Sequence, residues 1–276
     1  MNAPLDRGAN VVATAARHAD DVDRKGRFPI EAVQALKDAR LLALLIPVEF
    51  GGGGAALADV AELCTSLGQQ CASTAMIFAM HQIKVASLVA HGRGAAWHES
   101  FMRRVCDEQL LLGSATTEGG VGGNLRNSIC AFERDGDIFR IAKEGALISY
   151  GAYSDAILVT ARRAADAPPS DQQMAVLEKS QFRLERTGSW DALGMRGTCS
   201  EGFTFSGQAP TEQIFAHDFA EIASQSMLAT AHLLWSAVWF GIASDALARA
   251  QAFVRKDARR HPDGPAPGAL RLAEAT

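Results

Sequence analysis

SATTEGGVGGNLRNS, residues 114 to 128, places four glycines within five positions directly after Thr116, Thr117 and Glu118. Glycine at this density lets a backbone approach something closely, and what it approaches decides how the whole chain is read. The stretch lacks the G-K-[ST] ending of a P-loop. It does not fit G-x-G-x-x-G either, because the position three after Gly122 is Leu125 and no βαβ pattern surrounds it. A plain loop between strands is the simplest alternative. Against it stand the adjacent hydroxyls of Thr116 and Thr117 and the acid Glu118 just beyond.

Working outward from this loop, the pattern changes on both sides. From about residue 113 to 210, NSICAFE, DIFRIA, AILVTAR, MAVLEK and SEGFTFS are short, β-branched or aromatic, and separated by turn chemistry. RDGD (134 to 137) reads as a hairpin turn between the first two. No crossover helices separate these runs, which predicts an antiparallel sandwich or barrel rather than a doubly wound sheet. Before residue 112 the pattern is helical. RFPIEAVQALKDARLLAL puts Pro29 in a first turn, IPVEFGGGG (46 to 54) must be a loop, and CASTAMIFAMHQIKVASLVAHG reads as a helix capped by Ser73 or Thr74 and ended by Gly92. From about Thr211 the helical pattern returns and runs towards Arg260; HPDGPAPG breaks it and LRLAEAT begins another helix. The expected fold class is therefore α+β and multidomain: an N-terminal all-α domain (1–112), a middle antiparallel β-sandwich or barrel (113–210), and a partial C-terminal α-helical bundle (211–276).

Composition excludes several function classes. The 276 residues are 48% hydrophobic and 21% charged, and the net charge of −4 offers no global attraction to nucleic acid or anionic lipid. Arg255, Lys256, Arg259 and Arg260 cluster around Asp257 and read as a solvated helix end. Five scattered cysteines without C-x-x-C spacing point to reduced thiols and a cytoplasmic setting, not to a disulfide framework or zinc. The N-terminus lacks signal-peptide regions. MLATAHLLWSAVWFGI (227 to 242) is too short and too interrupted for a membrane span and reads as a buried core helix. No histidine has metal-ligand spacing, so His81, His91, His98 and His232 read as structural and no metal is expected.

Four segments together resemble the acyl-CoA dehydrogenase family of flavoproteins: LLALLIPVEFGG (41 to 52), GSATTEGGVGGN (113 to 124), ISYGAYSDAILVTAR (148 to 162) and SWDALGMRGTCSEGFTF (189 to 205). They occur in the family's order and spacing across roughly residues 28 to 257. The resemblance implies FAD as cofactor, an acyl-CoA or related small molecule as substrate, and α,β-dehydrogenation of the acyl thioester with FAD accepting the hydride. It places Ser114, Thr116 and Thr117 near the flavin ring and Gly122 and Gly123 near the pyrophosphate. Ser149 becomes a second hydroxyl at the ring, and Leu147 stands where a flanking tryptophan is usual. Successive N–H groups in a glycine turn form an anion nest, which suits that role.

The departures are specific. The family's proline is Gly119, its pyrophosphate-binding serine is Gly123, and Leu147 offers no aromatic stacking. Registering the long helix on FGIASDAL puts Ala231 where one branch of the family carries its catalytic glutamate; the other branch carries it beyond residue 276. Asp218 and Glu221 stand upstream and read as solvated first-turn acids. No catalytic residue is therefore assigned. A four-helix bundle with barely more than one helix present leaves an apolar helix to be covered, by the N-terminal helices, a second copy or another chain. Homo- or hetero-oligomerisation through the helical domains follows. Two further readings stay open: a non-catalytic or half-site partner subunit, and a flavin-dependent monooxygenase on the same scaffold.

Overall fold

The computed structural model describes residues 4–121 and 124–260. Five helices come first: α1 (Pro4–Lys25), α2 (Ile30–Asp38), α3 (Leu57–Gly68), α4 (Ala72–His91) and α5 (Ala96–Glu108). Pro29 stands immediately before α2 rather than inside it. The expected side-chain cap of α4 is absent. Cys71 is the capping residue, Ser73 Oγ instead accepts the Gly197 N–H at 3.1 Å, and Thr74 is buried without a hydrogen bond. Ser73 is thus spent on holding a distant loop against the helix. Gly92 does end α4.

Seven strands follow: β1 (Leu112–Ala115), β2 (Glu133–Asp135), β3 (Ile138–Ile148), β4 (Ala156–Arg162), β5 (Gln172–Glu178), β6 (Phe182–Arg186) and β7 (Glu201–Pro210). They form two open sheets, β1-β4-β5 and β2-β3-β7-β6. The sandwich reading stands and the barrel does not. One pairing departs from the antiparallel expectation: β1 lies parallel to β4. Parallel neighbours need a long crossover, and the glycine loop with the β2–β3 hairpin supplies it. That hairpin turns at Gly136, as RDGD predicts. NSICAFE contributes only an isolated bridge, Ala131 to Arg162, before β2 begins.

The alternation of side chains shows how the layers stack. On β4, Ile157, Val159 and Ala161 face the second sheet, while Ala156 and Leu158 join the helical core. Met174 and Val176 on β5 do the same against Ala175 and Leu177. The three-stranded sheet is therefore buried on both faces, between helices and partner sheet, and its strands read as unbroken apolar runs.

The chain then re-enters helix through α6 (Phe219–Ile222), a π-helical turn (Ala223–Met227) and α7 (Leu228–Arg260). Phe219 and Ile222 before the turn, and Ala231, Leu234 and Val238 after it, belong to one core. The expectation that residues 227 to 242 form a fully buried helix is corrected here. Only one face is covered, and Leu233, Trp239, Phe240 and Phe253 are exposed. This helix and α4 are both long and apolar enough to cross a membrane; α4 is mostly buried in the protein. Arg255, Lys256 and Arg259 are exposed on the last turns of α7, as a solvated helix end requires. The sequence beyond Arg260, including the expected LRLAEAT helix, lies outside the described residues.

Two glycines let α7 close on α3. A Cβ on Gly241 would run into the Thr65 carbonyl oxygen, and one on Gly68 would lie 2.7 Å from the Val238 carbonyl oxygen. Thr65 Oγ1 also reaches the Ala237 carbonyl at 3.2 Å. Gly241→Val is expected to cost about 1–3 kcal/mol by overpacking this crossing. A urea midpoint that falls with an unchanged slope would register it; an unmoved midpoint would show that the helices part freely.

Candidate functional site

Where α4, the sandwich and α7 meet, a cleft of about 280 Å³ opens, near the lower end of the range for small-molecule sites. One rim carries hydroxyls: Ser114 on β1, Thr116 and Thr117 on the loop after it, and Ser149 just past the end of β3. The opposite wall is apolar except for Lys84, from Met80 and Ile83 on α4 to Met227 on the π turn and Leu228, Ala231 and Trp235 on the first turns of α7. Leu125 and Leu228 also line a neighbouring cavity of about 600 Å³, bounded by Asn124, Arg126 and Ser170 on one side and Phe219 and Ser224 on the other.

Local structure explains the convergence. The register of β3 against β7 shifts between Gly145 and Ile148, and such bulges re-aim the side chains beyond them. Leu147 is 47% exposed at the cleft, and its carbonyl accepts the Thr117 hydroxyl at 2.8 Å. Ser149 is tied into a hydroxyl chain. Ser149 Oγ and Ser200 Oγ are 2.8 Å apart, Ser200 and Thr198 are 2.8 Å apart, and Thr198 donates to the Met195 carbonyl at 2.9 Å. One proton per hydroxyl fixes the direction of the chain. With Thr198 donating to the carbonyl, Ser200 donates to Thr198 and Ser149 donates to Ser200. Ser149 then presents lone pairs to the cleft.

Glu118 does not join this rim. The inward row of β3 runs Phe139, Ile141, Lys143, so a cation falls where the sandwich interior begins. Lys143 Nζ places its protons on the Thr160 carbonyl at 2.7 Å, the Thr160 hydroxyl at 3.2 Å and Glu118 Oε1 at 3.1 Å. Glu118 accepts further from Ser128, from the Ile129 N–H at 2.6 Å and from the Cys130 thiol at 3.0 Å. Against a burial that works the other way, these donors and Lys143 hold its carboxyl down at about 2. Glu118 thus pins the glycine loop to the sheet from behind and leaves Thr116 and Thr117 facing the cleft.

Of the residues singled out from sequence, Ser114, Thr116, Thr117, Leu147 and Ser149 line one cavity. Gly122 and Gly123 lie outside the described residues. Ala231 lines the cleft, whereas Asp218 and Glu221 do not: Asp218 pairs with Arg163, and Glu221 with His217 at 3.1 Å. The histidines behave structurally. His81 donates through Nε2 to the Leu42 carbonyl at 2.7 Å and accepts the Leu112 N–H on Nδ1 at 3.0 Å, a fixed neutral tautomer. His91 contacts Ser226 at 3.1 Å, His98 is buried against Phe215, and His232 is exposed. The described residues hold no cluster of metal-ligating side chains, and their five cysteines are all free.

Sequence reading missed Lys84. It sits on α4 in the wall of the cleft, 6% exposed, with Nζ 3.5 Å from the Tyr150 hydroxyl. The available signal was a lysine inside a helix that is apolar nearly all round, where charge is rare without a purpose.

A helical layer, a two-sheet sandwich and a returning helix that meet at such a cleft define the acyl-CoA dehydrogenase fold. Butyryl-CoA dehydrogenase from Megasphaera elsdenii superposes with a TM-score of 0.79 at 17% identity, over 92% of this chain and 69% of that one. FMN-bound TdsC from Paenibacillus sp. A11-2, a dibenzothiophene monooxygenase, superposes with a TM-score of 0.82 at 24% identity, over 92% of this chain and 65% of that one. Residues 9–109 match the family model of the acyl-CoA dehydrogenase N-terminal domain. Cyclohex-1-ene-1-carbonyl-CoA dehydrogenase of Syntrophus aciditrophicus (strain SB) is 26% identical over 244 residues, 87% of this chain and 59% of that protein. Residues 9–109 thus carry the family's N-terminal domain, and the chain is similar to acyl-CoA dehydrogenases over most of its length while spanning about three-fifths of the length of this curated relative.

Proposed function

We propose that the cleft holds the isoalloxazine ring of a flavin, FAD by the family resemblance, and that the protein is a flavin-dependent oxidoreductase. It would remove hydrogen across Cα–Cβ of an acyl thioester. The observation that carries this reading is the convergence of Ser114, Thr116, Thr117 and Ser149 on one rim of a cleft whose other wall is apolar apart from Lys84. The hydroxyls would orient the ring's polar edge, the apolar wall would exclude water from the reacting carbons, and bound flavin would supply the hydride acceptor. The adjoining cavity between Arg126 and Ser224 offers room for the remainder of a long ligand.

Reconstitution of the full chain with FAD, and separately with FMN, tests the cofactor. Ser149→Leu, which fills the rim with an apolar group, is expected to weaken flavin binding by roughly tenfold or more through one lost polar partner. Equal affinity would remove Ser149 from the site. Anaerobic mixing with acyl-CoAs then tests the reaction: loss of the flavin's visible absorbance supports dehydrogenation.

Ala231 favours a second reading. An alanine at that wall position suits a flavin monooxygenase, in which reduced flavin meets oxygen and no carboxylate base is needed, and TdsC shares the fold. A flavin that no acyl-CoA bleaches, but that reacts with oxygen once reduced, would favour it. The exposed apolar face of α7 is proposed to be covered by further helices, whether from a second copy or another chain; sedimentation of the purified chain at varied concentration tests self-association.

A further inference from the structure

Lys84 is the only ionisable side chain that lines the cleft among the described residues. No carboxylate among them pairs with it, and its one hydrogen-bond partner there is Tyr150. The Tyr150 hydroxyl donates its proton to the Leu112 carbonyl at 3.0 Å, so towards Lys84 it can only accept. An uncharged Lys84 amine therefore spends an N–H on Tyr150 and keeps its lone pair free. Apart from the Tyr150 ring, 5.7 Å from Nζ, the titratable groups packed around it offer the ammonium form no counter-charge. His81, one turn back on α4, is neutral with both ring nitrogens engaged, and Asp155 is turned to Lys37 and the Leu111 N–H. The residues of α7 and its π turn that face the cleft carry no charge.

We infer that Lys84 takes the proton that leaves the substrate carbon, doing from α4 what a carboxylate at position 231 would do from α7. The inference rests on the dehydrogenase reading. The amine lone pair forms an N–H bond to the proton on the carbon beside the thioester carbonyl. The C–H electron pair becomes the carbon–carbon double bond as the next carbon gives up hydride, with its electron pair, to bound flavin. Substrate loses two electrons and flavin gains two; the ammonium passes its proton to solvent once product has left. Burial pushes the Lys84 amine down to about 7, so it is available uncharged near neutrality.

Two measurements on the full chain test this. In protein carrying 13Cε-labelled lysine, without flavin, one resonance that disappears in Lys84→Met is expected to titrate near 7. Titration in the ordinary lysine range, about 10.4, would overturn the assignment. In the flavin-loaded chain, anaerobic bleaching by saturated acyl-CoAs from butyryl to palmitoyl should accelerate as pH rises through about 7 and then level off. Lys84→Met should lower that rate by roughly 10²- to 10⁴-fold, the range for a lost general base, while retaining flavin. Adding Ala231→Glu to Lys84→Met should restore part of it. If wild type bleaches and Lys84→Met follows within about threefold, Lys84 is not the base. If bound flavin in the wild type is bleached by none of these thioesters, the dehydrogenase reading itself fails and takes the assignment with it. Replacing a buried amine by an apolar side chain of similar length relieves desolvation, so the variant is expected to fold.

Discussion

Between about pH 7 and pH 5 the protein is expected to lose roughly 4 kcal/mol of stability through His81 and His98. Burial holds both below their ordinary value of 6.5, at about 4. In the unfolded chain each takes up a proton near 6.5, while in the folded chain neither does so until about 4. Across that window the unfolded state binds more protons, so stability falls as pH falls, by up to about 1.4 kcal/mol per pH unit for each histidine. Above 6.5 the contribution is fully present. Burial also lowers His91, in the same sense. The two main contributors are separable. Neither ring nitrogen of His98 makes a hydrogen bond, so His98→Phe should cost little at neutral pH and remove about half of the slope. His81 holds both Leu42 and Leu112, so His81→Phe should destabilise at every pH. Urea midpoints that stay level from neutrality to pH 5 would contradict this account.

Glu118→Ala is expected to cost about 3–5 kcal/mol, because it leaves Lys143 charged, enclosed and unpaired. Lys143 keeps only Thr160 as a partner, and the turn over Ser128 to Cys130 loses its common acceptor. The fall should be largest at neutral pH. The Glu118 carboxyl is held at about 2 against an ordinary 4.5, so its stabilisation is present above about 4.5 and disappears as pH drops towards 2. Pairing Glu118→Leu with Lys143→Met should recover most of the loss, since a buried ion pair replaced by apolar groups of similar volume is often neutral. A Glu118→Ala chain within about 1 kcal/mol of the parent would mean that water reaches Lys143.

The glycine loop and the change from helical to strand patterning were legible because backbone freedom and side-chain period are written locally. Gly92 and the RDGD turn were legible for the same reason. β6 carries a weak local signal: FRLER alternates only Phe182 and Leu184 with charged residues on an edge strand, too short a run to stand out as a strand. The parallel pairing of β1 with β4 was illegible too, because four residues, Leu112 to Ala115, take their partner from a strand some forty positions on. Ser73 looked like a cap, and only tertiary contact shows that Gly197 claims it. Glu118 was noticed for its place beside the threonines, but the side chain turns the other way. Its partner Lys143 carries no local mark beyond occupying an inward position of β3.

The π turn at Ala223–Met227 sets the phase of everything after it. A π insertion adds one residue to the ladder, and in an ordinary helix one residue is worth about 100° of rotation. Upstream, Phe219 and Ile222 are already committed to the core; downstream, Leu234 and Val238 must meet the same core while Trp239 and Phe240 turn outward. In a regular helix through this segment each downstream residue would occupy the site now held by the next one, which would set Phe240 where Gly241 now meets the Thr65 carbonyl. The extra residue therefore acts as a rotational spacer, and it selects which stripe of α7 another molecule can touch.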